Sequence, residues 1–306
     1  MTQALGRGHA GSKWAFPFVG SRGLRAGWRL LLFVAVAQLL GKVAERLLLA
    51  LGVPAPANWT PRYFIQTEGL YLASALATAC GLAHFERRPW GAYGLPFHGE
   101  VVRRYAQGLA WGIASVAVLI LLIVVARGAS FGGLALHGNA LASGAILWGV
   151  VFLFVGLSEE FVFRGYSFFT LSTGMGFWPA AVLLSTLFGA VHYFGKPMEN
   201  GVDALSVGLI GLFLCLTLRR TGNLWFAIGF HAAFDYAALF VLGAPNTGNE
   251  GRSLAGHLLN VSFHGPDWLT GGPRGIEASA CVFVVIAALF WLFDRTHRTA
   301  SLPRSS

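Results

Sequence analysis

Charge is what this sequence has least of. Only 11% of its 306 residues are Asp, Glu, Lys or Arg, against about 25% in a soluble domain, which excludes a water-soluble enzyme. Cysteine is scarce as well. Cys80, Cys215 and Cys281 stand far apart inside apolar runs, with no Cys-x-x-Cys pair and no even-numbered set, so neither a disulfide framework nor a thiolate metal site is implied. The chain also lacks a His-Glu-x-x-His zinc motif, and it shows no repeat of 20 to 50 residues.

What it has in abundance is hydrocarbon. Hydrophobic residues make up 55% and the mean hydropathy is +0.62, gathered into runs of roughly 15 to 25 residues, the length that crosses a bilayer as helix. The expected fold is all-α: a polytopic membrane helix bundle of about eight transmembrane helices, near 30–51, 64–83, 108–126, 146–169, 177–194, 204–218, 224–242 and 276–293. The first of these carries Lys42, Glu45 and Arg46, whose helical spacing allows one protein-facing side. The 40 glycines suit close helix–helix approach better than low complexity. One integral domain over 29–295 is expected, with a basic tail over 1–28, read as uncleaved, and a second tail over 296–306.

The formal charge of +9 does not signal nucleic acid, because the basic residues are dispersed over the ends of apolar segments rather than collected in a basic, aromatic-rich module. They read as topology signals instead. Arg7, Lys13, Arg22, Arg25 and Arg29 precede the first span; Arg87, Arg88, Arg103 and Arg104 lie between the second and third. Arg219 and Arg220 follow the sixth, and Arg295, Arg298 and Arg304 the eighth. With eight spans all fall on one side, which the positive-inside rule makes cytoplasmic along with both termini. Arg62, Arg127, Lys196, Arg252 and Arg274 fall on the other, where the Gly/Pro/Asn-rich connection 243–275 is the longest loop.

Ionisable groups inside a membrane cost at least ~2.5 kcal/mol each on insertion scales, so each needs a partner or a task. Spans four to seven hold Glu159, Glu160, Arg164, His192, His231 and Asp235. Glu160 and Arg164 are four residues apart, about 40° on a helical wheel, and can pair; Glu159 is turned about 100° away and is left for chemistry. His231 and Asp235 share the same spacing, which suits an acid–base or metal site. The plainer reading is that the first trio is an ion cluster holding a helix, His192 a hydrogen-bonded interface residue and His231–Asp235 a polar bridge. Two histidines, a spare glutamate and an aspartate in three apolar helices are a costly way to stabilise a bundle, whereas a water-activating cavity needs such groups.

In this order, Glu159-Glu160-x-x-x-Arg164, Phe188-x-x-x-His192 and His231-x-x-x-Asp235 on successive apolar helices resemble the three motifs of the CPBP family, the CAAX prenyl endopeptidases and their bacteriocin-processing, ABI-domain relatives. The resemblance covers about 145–242. It implies an eight-helix intramembrane endopeptidase whose site lies within the bilayer and opens toward the cytoplasmic side and lipid. It assigns Glu159 as the base that activates water, His192 as its helper, Glu160 and Arg164 as a supporting pair, and His231 with position 235 as stabilisers of the oxyanion. Asp235 departs from the pattern, since many members have Asn there and an ionised Asp cannot donate to an oxyanion.

Glu159, His192 and His231 also compose a His₂Glu set suited to zinc, with Asp235 as an added ligand, so metal-dependent and metal-free glutamate mechanisms both stay open. There is no Gly-x-Gly-Asp segment, and Ser158 stands in Gly-Leu-Ser-Glu, so it reads as a helix-internal hydrogen bonder rather than a nucleophile. Expected partners are membrane lipid and a membrane-associated protein or peptide substrate, without nucleic acid. The expected location is a bacterial cytoplasmic membrane. The rival readings are a non-catalytic scaffold, immunity or chaperone-like protein on the same fold, and a transporter or proton pathway.

Overall fold

In the computed structural model, residues 19–20, 23–89, 91–97 and 99–297 are described; most of the two expected tails lies outside them. A two-residue antiparallel pair, β1 (Val19–Gly20) and β2 (Gly23–Leu24), leads into the bundle. Long helices follow: α1 (Ala26–Ala50), α2 (Pro61–Glu86), α3 (Val101–Val125) and α4 (Gly138–Glu160). A π-helical turn over Phe161–Tyr166 joins α4 to α5 (Ser167–Met175), making one rod of 38 residues. Then come α6 (Phe177–Gly195), α7 (Gly201–Thr221), α8 (Trp225–Asp235) with a second π turn over Tyr236–Val241, the short α9 (Asp267–Thr270) and α10 (Cys281–Thr296).

Taking α4–α5 and α8 with its π turn as single rods, the long helices match the expected spans one for one. Four of them, Val101–Val125, Gly138–Met175, Phe177–Gly195 and Gly201–Thr221, are by themselves long and apolar enough to cross a membrane. Large apolar side chains such as Leu31, Leu39, Ile113, Leu121, Ile146, Val182 and Trp291 point outward, as a lipid-facing surface requires. The chain is an integral membrane protein.

α1 departs from expectation in one respect. It is helical throughout, but Lys42, Glu45 and Arg46 are exposed rather than turned toward protein. They sit in its last turns, where long side chains can extend to the headgroups while their stems stay in hydrocarbon.

Helix order is fixed by caps and small residues. Thr60 caps α2 by accepting from the Tyr63 amide, with Pro61 in the first turn, and Asn200 with Asp203 forms a reciprocal capping box on α7. The tightest helix pair is α3 against α8. A Cβ at Gly108 would come within 2.1 Å of the Phe226 carbonyl, one at Gly112 within 2.4 Å of the Phe230 carbonyl, and one at Gly229 within 2.3 Å of the Tyr105 carbonyl. This small-residue seam lets backbones touch and sets the height of His231 on α8. Gly112→Val is therefore expected to force the helices apart at a cost of about 1–3 kcal/mol, read as a lower unfolding temperature in detergent.

Two apolar cores meet along the α4–α5 rod. Trp148, Val151, Phe152 and Val155 belong to one, with Phe213, Phe226 and Phe230; Phe161, Val162 and Tyr166 belong to the other, with Phe33, Ala180 and Leu184. The glutamates fall at the junction.

The loops sort into two ends. At one end α2–α3, α5–α6 and α7–α8 turn: the Leu224 amide bonds to the Gly94 carbonyl, Trp225 Nε1 donates to the Pro96 carbonyl, and Arg220 pairs with Asp294. At the other end β3 (Ala129–Leu134) pairs antiparallel with β4 (Leu259–Phe263), Thr247 donates to Glu199, and Ser206 donates to the Glu277 carbonyl. The long 243–275 connection is thus folded and packed over that end.

Candidate active site

Glu159 and Glu160 close α4 where its hydrogen bonding loosens into the π turn, and Gly165 within that turn leaves helical geometry altogether (φ −84°, ψ −114°). A second π turn begins just after Asp235. Such turns swing neighbouring side chains out of strict helical register and are frequent at functional sites.

Glu160 and Arg164 are both fully buried. Glu160 Oε1 accepts from Arg164 Nη1 at 3.0 Å and from His231 Nδ1 at 2.9 Å. The guanidinium lies over the Phe188 ring, 4.3 Å from its centroid, and a Cβ on Gly211 would come within 2.4 Å of Nη2, so α7 leaves that space open for it. The π face adds cation–π attraction to the ion pair. With Nδ1–H bound to Glu160, the other ring nitrogen of His231 is aimed elsewhere, which fixes the ring's orientation.

That other nitrogen faces two carboxylates. His231 Nε2 is 3.7 Å from Glu159 Oε2 and 3.6 Å from Asp235 Oδ2. Both separations are too long for a direct hydrogen bond, so the three groups face one another without being bonded. Glu159 is a quarter exposed, yet its Oε2 is buried without a hydrogen-bond partner among the described residues. His192 is held by Nδ1 on the Phe188 carbonyl at 2.9 Å, with the Phe188 ring against its own.

Glu159, His192, His231 and Asp235 all line one cavity of about 250 Å³. Its walls include Phe64, Phe152, Phe188, Leu214, Phe230 and Phe234, and its outer part Trp59, Lys196, Asn246 and Glu277. Glu160 and Arg164 stand behind it, in contact through His231.

Sequence reasoning missed Glu68. It projects from α2 into the same cavity and accepts from Ser158 Oγ at 2.5 Å, placing a third carboxylate beside Glu159. The single Ser158 hydroxyl proton, given to Glu68, ties α4 to α2, with the Val155 carbonyl, 3.1 Å away, as the alternative acceptor within the helix. The signal in the sequence was a glutamate inside an apolar span, one residue type among the intramembrane charges that the motif order did not reach.

Glu277 was missed too, in the short turn ahead of α10. Burial first, then the charges of Asp235, Glu199 and Asp203, pushes its carboxyl up to about 7 from an ordinary 4.5, with Lys196 opposing. Between those values the folded chain keeps a proton that the unfolded chain releases. Its contribution to stability is therefore greatest below pH 4.5 and falls as pH rises to 7. Glu277→Gln is expected to remove this slope, worth of order 3 kcal/mol, from the pH profile of thermal unfolding.

No group of three or more His, Cys, Asp or Glu side chains among the described residues is placed to hold a metal ion, while the Nδ1 contacts of His231 to Glu160 and of His192 to the Phe188 carbonyl leave Nε2 of each ring free.

Neither the curated proteins nor the solved structures give a match to this chain. A protein-family model does: the type II CAAX prenyl endopeptidase, Rce1-like, over residues 141–237. Those residues run from the first turn of α4 to the π turn after α8 and contain all seven motif residues. Over this stretch, about a third of the chain, the sequence is similar to the Rce1-like type II CAAX prenyl endopeptidases, in keeping with the CPBP motifs that it resembles.

Proposed function

We propose that the chain is a metal-free intramembrane endopeptidase in which Glu159 activates the water that attacks the scissile peptide bond of a membrane-associated polypeptide. The observation that carries this reading is the buried, unpartnered Oε2 of Glu159 facing His231 Nε2 at 3.7 Å in a cavity walled by aromatic rings. A carboxylate in that position can accept a proton from a water held between it and the imidazole.

The steps follow from these placements. Glu159 takes the proton of the held water, whose oxygen attacks the carbonyl carbon and makes a tetrahedral oxyanion. His231, held by Glu160 through Nδ1–H, donates to this charge from Nε2 as the imidazolium, its positive charge supported by the facing Glu159 and Asp235 carboxylates, while His192, oriented by the Phe188 carbonyl, presents Nε2 as an acceptor that helps to hold the water. The proton on Glu159 then passes to the leaving amide nitrogen, and the C–N bond breaks. Asp235 orients the water and imidazole rather than donating to the oxyanion. Asp235→Asn is accordingly expected to keep turnover within about tenfold of wild type, since the amide supplies a donor, measured as kcat on a quenched peptide.

The test of the reading is cleavage of such peptides by purified protein in liposomes, with elemental analysis of the same samples. Expected are cleavage without stoichiometric zinc and no loss after chelation. Zinc bound one to one and lost with activity in His231→Ala would overturn the metal-free chemistry, and no cleavage across a broad peptide set would favour the scaffold reading.

A further inference from the structure

The cavity and the basic loops lie at opposite ends of the bundle. The outer lining of the cavity, Trp59, Lys196, Asn246 and Glu277, comes from the α1–α2 and α6–α7 connections and from the long segment between α8 and α10. The end formed by α2–α3, α5–α6 and α7–α8 carries Arg87 and Arg88 in the α2–α3 connection, Arg103, Arg104, Arg219 and Arg220 at helix ends, Arg25 just ahead of α1, and Arg29 and Arg295 on adjoining helices. Basic residues at the cavity end are fewer: Lys42 and Arg46 in α1, Arg62 in α2, and Arg127, Lys196, Arg252 and Arg274 in connections. Lys and Arg close to span ends set orientation during insertion, while acidic residues count for little. By that rule the basic end is the cytoplasmic one.

A site that opens toward the cytoplasm and a chain oriented by its basic loops are therefore incompatible expectations in this fold. We propose that the cavity opens on the non-cytoplasmic face and takes its substrate there: an extended, apolar-rich stretch of an exported or membrane-anchored polypeptide lying just outside the bilayer. This rests on the hydrolytic reading of the site. The aromatic walls suit apolar side chains. At the mouth, Lys196, Asn246 and Glu277 offer donors and acceptors to a polypeptide backbone, with Lys196 at 28% exposure and 3.8 Å from Glu199.

Labelling with a membrane-impermeant maleimide in sealed vesicles of both orientations separates this from the chemistry. In a full-length background with Cys80, Cys215 and Cys281 replaced by Ala, single cysteines are placed at Glu250 (cavity end), Arg103 (basic end) and Lys196 (mouth). Expected is labelling of E250C and K196C in right-side-out vesicles and of R103C only in inside-out ones. The reverse pattern for E250C and R103C overturns the orientation. K196C labelled only from the cytoplasmic side, or from neither, overturns the opening.

A paired substrate assay in the same membranes uses one cleavage segment fused to a single-pass anchor in either orientation. At least tenfold faster cleavage is expected for the fusion that displays the segment outside. Equal or inverted rates overturn the proposal. Loss of cleavage in both fusions, with labelling as expected, instead overturns the hydrolytic reading and, with it, the substrate part of the proposal.

Discussion

Glu159→Gln is expected to lower kcat by 10² to 10⁴, roughly the contribution of a positioned general base and about 3–5 kcal/mol of barrier. Folding is expected to survive it. Glu159 is a quarter exposed, its Oε2 has no hydrogen-bond partner among the described residues, and His231 lies 3.7 Å away, so an amide of the same shape breaks no direct contact there. KM is expected to change little, because Glu159 acts on water rather than on the substrate's side chains. Peptide cleavage in liposomes, normalised to monodisperse protein, reads both quantities.

Arg164→Met is expected to act on the fold instead. Its guanidinium is fully buried and provides the pairing positive charge for Glu160, aided by the Phe188 face. Removing it strands a carboxylate at the junction of the two cores, at a cost of about 3–5 kcal/mol, a large part of the stability of an ordinary domain. Little folded protein should be recovered. The double variant Glu160→Gln with Arg164→Met removes both charges and is expected to be more stable than Arg164→Met alone. Unfolding temperatures of the four proteins form a double-mutant cycle, and additive losses would mean that the pair does not hold the helix.

Legibility in the sequence followed distance along the chain. Glu160 with Arg164 and His231 with Asp235 are one turn apart, so helical spacing alone places each pair on one face, and apolar run length gave the long helices. The His231 Nδ1 contact to Glu160 spans 71 residues, and the Ser158 contact to Glu68 spans 90. No local periodicity encodes either. The same holds for β3 with β4, whose short alternating segments are too weak a pattern to separate from loop. The α1 charges were misjudged because spacing shows that Lys42, Glu45 and Arg46 are near one another but not which side of the helix packs. Gly108, Gly112 and Gly229 were legible as small residues for helix contact, but not as one seam between α3 and α8.

The division of labour between adjacent glutamates is the central claim, and the direct measurement is turnover per folded molecule for Glu159→Gln and Glu160→Gln side by side. The account predicts Glu159→Gln at wild-type folded yield with turnover lost, and Glu160→Gln at reduced yield with turnover remaining in the folded fraction. A stable but inactive Glu160→Gln beside an active Glu159→Gln would contradict it.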